Sequence, residues 1–266
     1  MPSGDEQDHA GQDGTAPTRA APAGSATDKA APERPKRSMI RRLFWLGCRI
    51  AGSFLLISVV WAAIYSIVPV PLTPLMVIRL VEGHGFAKDW VPYERISPNL
   101  ARAAIASEDS GFCAHHGFEW EAIQNAWDRN QRSKRIRGGS TISNQTAKNA
   151  FLWPDRTYAR KVLEYYFTAL IELFWGKKRI LEVYLNVVEF GPGIYGAEAA
   201  AQTYFKKPAS ALNRREAALM VAVLPSPLKW SVTKPGPYVQ SRTATIMARM
   251  LDIPDPTGDP CPARPR

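Results

Sequence analysis

Large apolar residues are almost absent from the first 38 positions, which are filled mainly by Ala, Pro, Gly, Ser, Thr and Asp. Such a segment has too little apolar surface to offset the entropy of ordering it, so residues 1–38 read as a disordered tail. The pattern then inverts. Ile50 to Val68 is a run of 19 residues without a charge, close to the roughly 20 that a helix needs to cross a hydrocarbon core. Pro69, Pro71 and Pro74 close the run. Residues 39–70 are therefore predicted as a transmembrane anchor. Trp61 and Tyr65 suit an interfacial belt, and no small-x-small cleavage site follows, as a removed signal peptide would need.

Beyond the anchor the apolar positions take up helical spacing. Trp120, Ile123 and Trp127 fall at i, i+3 and i+7. Ser140 can cap a helix through Ala150, with Ile142 on its apolar side. Val162, Leu163, Tyr166, Leu170 and Phe174 mark a long helix from about Thr157 to Trp175. Gly176 breaks it, and Ile180, Leu181, Tyr184 and Leu185 mark the next. Further helices are expected near 196–204, 213–224 and 237–251. No alternating strand pattern of any length and no internal repeat occurs. The expectation is a mainly α fold: a tail over 1–38, an anchor over 39–70, one helical domain over 71–253 and a Pro-rich C-terminal tail over 254–266.

Charge adds a direction to this layout. The chain carries a net +10, and residues 43–266 alone hold 27 Lys+Arg against 18 Asp+Glu. The positive field belongs to the folded part and favours an anionic partner such as phospholipid, nucleic acid or a phosphorylated substrate. Arg34, Lys36, Arg37, Arg41, Arg42 and Arg49 precede the apolar run, which puts the N-terminus in the cytoplasm and the domain outside. That placement excludes nucleic acid as a partner. Cys48, Cys113 and Cys261 show no zinc spacing and no disulfide framework; a Cys113–Cys261 bridge is conceivable outside the cytoplasm but is not expected.

Three stretches carry candidate chemistry. In "AIASEDSGFCAHHGFEW" an alanine-rich helix ends in Glu108 and Asp109, with His115 and His116 a few residues on. Surface decoration, a metal site and an acid–base centre all fit. Adjacent histidines point in different directions and no HExxH motif or cysteine pair supports ligation, so no metal is assigned. In "KRIRGGSTISNQTAKNAFLW", Gly138 and Gly139 let the backbone approach a ligand, and Ser140 and Thr141 open a helix whose free N–H groups suit an anion. Gln145 and Lys148 lie further along; a plain glycine-led helix start fits equally well. In "DRTYARKVLEYYF", Arg156, Arg160, Lys161 and Glu164 can share a helix face. They form either a surface salt-bridge ladder or a cationic clamp with a carboxylate among them.

Together these stretches resemble the peptidoglycan glycosyltransferases. "EDSGFCAHHGF" resembles the family's ED-x-x-F-x-x-H-x-G signature, and "GGSTISNQTAKN" its GGSTI[ST]QQ-x-x-KN element. "RKVLE" is similar to R-K-x-x-E, "RILEVYLN" to ILE-x-YLN, and "AALMVAVLPSP" to the fifth motif. All five occur in order over roughly Val91 to Lys229, with no transpeptidase domain after them, as in the stand-alone biosynthetic form. The resemblance implies a lysozyme-like helical domain that polymerises lipid II on the outer face of the cytoplasmic (inner) membrane, by inverting transfer with release of undecaprenyl diphosphate. It implies Glu108 as an exposed general base and Glu164 as a second essential glutamate. Lys148, Arg156, Arg160 and Lys161 would hold the diphosphate, with Ser140, Thr141 and Gln145 contacting sugar and phosphate. Asp109, Phe112, His115, Gly138, Gly139, Glu182, Tyr184 and Asn186 would support the site. No cofactor is bound by the protein; a divalent cation, Mg or Mn, would arrive with the diphosphate. Partners would be lipid II, the growing glycan, membrane lipids and proteins of division or elongation.

One departure stands out: Asn144 occupies a position where the family usually has Gln. The segment from Asp128 to Arg137 holds five basic residues in ten, and with Trp120 and Trp127 it reads as either a headgroup contact or a solvated loop. The rival readings are a lysozyme-like enzyme that cleaves glycan, and an inactive membrane-anchored cell-wall scaffold supported only by Asn144.

Overall fold

The computed structural model describes residues 39–118, 140–155 and 157–261. The predicted tail over 1–38, the Trp120–Trp127 helix, the basic segment 128–137, Gly138, Gly139 and Arg156 lie outside the described residues. The chain divides into two compact units, residues 1–47 and 48–266. In the first, the described residues Met39–Gly47 are the exposed start of the anchor helix.

Helix α1 spans Met39–Tyr65, and its most apolar stretch has a mean hydropathy of 1.9. Among the described residues it is the one helix long and apolar enough to cross a membrane. Its second half is built into the domain. The Trp175 indole donates to the Ala62 carbonyl at 2.8 Å, and the Ser58 and Tyr166 hydroxyls lie 2.6 Å apart. Trp61 and Tyr65 pack on Phe151, with ring centroids at 5.3 and 5.7 Å.

The helices that follow begin where a side chain can satisfy free N–H groups. Thr73 caps α2 (Pro74–Val81) and Ser97 caps α3 (Pro98–Glu108), each with Pro in the first turn. The next helix, α4, spans Ile142–Phe151, and its cap is Thr141, one residue later than expected from Ser140. Thr157 caps α5 (Tyr158–Phe174), and Gly176 leads into α6 (Lys177–Val187). Helices α7 (Ala197–Phe205), α8 (Arg214–Ala222) and α9 (Pro237–Arg249) fall on the expected segments. Helix α4 packs against α5 and α6, while α3 packs against α8 and α9. Phe112, Ile142, Ile171, Ile180, Tyr184 and Phe190 are fully buried between these layers.

Two sequence expectations need correction here. A small sheet, ordered β1 (Ala87–Lys88), β3 (Ile194–Tyr195), β2 (Glu189–Gly191), lies beside the helices. Its strands have two or three residues, too few to show alternation. Strand β1 runs parallel to β3 with Ala87 opposite Ile194, and β2 runs antiparallel with Glu189 opposite Tyr195. Gly193 between them has φ +68, and a Cβ there would sit 2.3 Å from the His84 carbonyl oxygen. The second correction concerns residues 254–261, which are part of the domain. The Tyr93 hydroxyl donates to Pro256 O at 2.8 Å, and Cys261 forms a disulfide with Cys113 across 148 residues. No local spacing could announce that pair, because only the return of the chain after α9 brings the two cysteines together.

Candidate active site

Glu108 is the last residue of α3. It is not the exposed carboxylate expected, because its side chain is only 14% exposed. Oε1 accepts hydrogen bonds from the Ser107 hydroxyl at 3.0 Å and from Arg242 Nη2 at 3.2 Å. Oε2 accepts one from Gln145 Nε2 at 3.1 Å. The fully buried Tyr184 places its hydroxyl 3.4 Å from Gln145 Oε1. Burial, then the nearby Glu108 and Asp109 charges, push the Tyr184 phenol well above its ordinary value, so it serves as a neutral donor.

Asp109 points the other way, into the protein. Its Oδ2 accepts from the Ile142 backbone N–H at 2.9 Å, so it holds the first turn of α4. Its Oδ1 lies 2.9 Å from His115 Nε2, while Gly117 N donates to His115 Nδ1 at 3.1 Å. Nδ1 is therefore the acceptor, and Nε2 carries the proton given to Asp109. His116 makes no part of this set. Gly117 has φ +84, and a Cβ there would come within 2.8 Å of Thr168 and 2.9 Å of Glu172. Phe112 is buried beneath Lys177, whose Nζ lies 4.8 Å from the ring centre.

Thr141 and Asn144 close the same turn. The Thr141 hydroxyl donates to Gly117 O at 2.8 Å. The Asn144 amide is buried, with Nδ2 3.4 Å from Gly117 O and Oδ1 2.9 Å from the Thr168 hydroxyl. The family departure thus sits in the packing behind the acids.

The cationic element lies on α5. Arg160 donates to Glu164 Oε2 at 2.7 Å and Lys161 to Oε1 at 2.5 Å. Lys161 also reaches within 3.5 Å of Ser140 Oγ. The Glu164 and Arg160 side chains are 3% and 9% exposed, so this pair is buried and not part of a solvated ladder, while Lys161, 33% exposed, closes the clamp at its rim. Burial holds the Lys148 ammonium below its usual value; Glu164 opposes this, and Arg160 and Lys161 add to it. A cavity of about 530 Å³ brings Gln145, Lys148 and Arg160 together with Arg79, Trp153 and Asp155. Gln145 is therefore the link between Glu108 and the cation-lined space.

Two predicted supports act elsewhere. Glu182 pairs with Arg179 at 3.1 Å, away from the acids, and Arg179 donates to the Tyr65 and Val68 carbonyls at 2.8 and 2.6 Å. Burial raises the Glu182 carboxyl pKa, and Arg179 opposes that shift. Asn186 bonds both backbone groups of Val91, at 2.9 and 3.0 Å. Sequence reasoning missed Arg242, Ser107, Arg79 and Thr168. Thr168 had a signal, since it lies one turn beyond Glu164 on α5; Arg242 had none. Among the described residues no group of three His, Cys, Asp or Glu is arranged to hold a metal ion.

The family described as Transglycosylase matches residues 76–251. The chain is 58% identical over 188 residues to the biosynthetic peptidoglycan transglycosylase of Caulobacter vibrioides, covering 71% of this chain and 82% of that one. It is 53% identical over 217 residues to that of Rhodospirillum centenum, covering 81% and 94%. A third relative of the same description, from Pasteurella multocida, is 49% identical over 209 residues, covering 76% and 85%.

Proposed function

The chain belongs to the transglycosylase family, and from that premise we propose that it polymerises lipid II into β-1,4-linked glycan. Glu108 takes the proton of the acceptor 4-hydroxyl. The resulting oxygen attacks C1 of the sugar at the growing end, the α-linked diphosphate leaves, and the new bond has inverted configuration. Breaking the C1–O bond adds negative charge to a diphosphate that is already anionic, and cations can stabilise that developing charge without a proton-donating acid. Lys148, Arg160 and Lys161 supply them, and Glu164 keeps Arg160 and Lys161 in place. The observation that carries this reading is the Gln145 amide, which joins the Glu108 carboxylate to the cation-lined cavity. Glycan cleavage has no use for those cations. The scaffold reading loses its support, because the Asn144 amide is spent on Gly117 and Thr168.

Helix α1 anchors the domain in a membrane, with the basic N-terminal side in the cytoplasm and the domain on the outer face. The Cys113–Cys261 disulfide supports an oxidising compartment. A divalent ion, Mg or Mn, would enter as part of the substrate diphosphate, whose oxygens are hard ligands for it. Proteins of cell division or elongation are the proposed partners. The test is lipid II polymerisation by the purified full-length protein beside Glu108→Gln. Wild type is expected to yield long glycan and the variant none; a variant with most of the wild-type rate would remove Glu108 as the base.

A further inference from the structure

Arg242 lies on α9, beyond the stretch that carries the five motifs, yet it touches the carboxylate at the centre of the site. Its Nη2 donates to Glu108 Oε1 at 3.2 Å and to Ser107 Oγ at 2.9 Å, and Ser107 in turn donates to the same Oε1 at 3.0 Å. These three groups form a closed triangle around one oxygen. The geometry points to Arg242 as a positioning residue for Glu108, an inference that rests on the proposed role of Glu108 as the base.

The physical need for such a group is local. Glu108 ends α3, where the helix dipole is negative and the last carbonyls lack intrahelical partners, so a carboxylate there is disfavoured without a cation nearby. A glutamate side chain also has many rotamers, so fixing its oxygens needs partners that offset the lost entropy. Arg242 addresses both problems. A guanidinium is a permanent cation with donors in a fixed fork. It occupies Oε1 together with Ser107, which leaves Oε2 with one donor, the Gln145 amide, and with capacity to accept an incoming hydroxyl. The two oxygens thus differ in their partners: Oε1 is held by Arg242 and Ser107, and Oε2 meets Gln145, which itself lines the cavity. Arg242 touches neither the cavity lining nor the cation clamp, so its effect must pass through Glu108.

The experiment is steady-state lipid II polymerisation by the full-length protein carrying Arg242→Met, Arg242→Lys, Glu108→Asp, and Glu108→Asp with Arg242→Met, beside wild type and Glu108→Gln. Arg242→Met is expected to lower kcat at least 30-fold while KM changes less than threefold. Arg242→Lys should recover at least a tenth of the wild-type kcat. In Glu108→Asp the shortened carboxylate has already left the triangle, so adding Arg242→Met should cost less than fivefold. A structural salt bridge would instead cost the same factor in both backgrounds, and that result would overturn the inference, as would a wild-type kcat in Arg242→Met. Should the methionine variant not fold, Arg242→Gln, which keeps a donor for Ser107 but no charge, carries the same comparison. An active wild type with an inactive Glu108→Gln and a fully active Arg242→Met would sink the positioning role and leave the proposed function standing.

Discussion

The two halves of the site are built in opposite ways. The cationic half is local: Arg160, Lys161 and Glu164 come from consecutive turns of α5, and their contacts are those of i,i+3 and i,i+4 neighbours. The acid half is assembled from distance. Glu108 ends α3, and its partners are Ser107 beside it, Gln145 on α4 and Arg242 on α9, up to 134 residues away. A local clamp forms whenever its helix forms, whereas the acid is in place only when three helices, α3, α4 and α9, have packed. The half that binds a charged leaving group can tolerate side-chain adjustment. On the proposed mechanism the acid half removes a proton, which requires a set geometry, and the fold spends long-range contacts on it.

The largest effect should come from breaking the local half. Glu164→Ala leaves Arg160 and Lys161 without their shared, buried carboxylate. We expect a loss of about 3 kcal/mol in stability and loss of polymerisation, read by thermal unfolding and glycan assay. Unchanged stability would mean that the clamp is solvated and would erase the contrast with a surface ladder. Next comes the staple of the distant half. Opening the Cys113–Cys261 bridge with Cys113→Ser and Cys261→Ser should lower stability by about 2–4 kcal/mol, and reductant should reproduce the shift in wild type but not in the double variant. The smallest effect tests Lys148. Its depressed folded-state pKa means that the unfolded chain binds more protons between the folded value and the ordinary 10.5. Stability contributed through this group therefore rises with pH across that window, and below it the buried ammonium is a burden. Lys148→Met should raise the unfolding temperature slightly at pH 7, with the gain shrinking as pH approaches 10.5, while polymerisation falls. A gain that did not change with pH would show that burial does not disfavour the charge.

The same division explains what could be read from the sequence. The α5 clamp was legible because helical period and residue type suffice to place it; Thr157 and Trp175 bracket the helix as the apolar spacing implied. The acids were found, but their environment was not. Exposure of Glu108 depends on α9, and a single arginine in a helix of mixed composition gives no sign that it will turn toward α3. The cap of α4 was misplaced by one residue because Ser140 and Thr141 are equally good cap types, and only Gly117 O, from another segment, selects the threonine. Glu182 was grouped with the site by its motif, whereas its partner Arg179 serves the anchor joint. The short strands gave no sign in the sequence, and the Cys113–Cys261 bridge was conceivable but not expected, for one reason: each depends on segments that meet only after folding.

The joint between α1 and the domain has a mechanical consequence. From Phe54 onward the helix is fastened by ring contacts, a buried indole and an arginine that ties down its last carbonyls. Phe54 to Tyr65 is unbroken helix, with no local break between these contacts. On the proposed membrane placement, we expect an embedded α1 to hold the cleft at one height above the lipid, like a carriage on a rail. Its search for substrate would then be confined to a plane, with the growing strand drawn past a station that moves sideways together with its anchor.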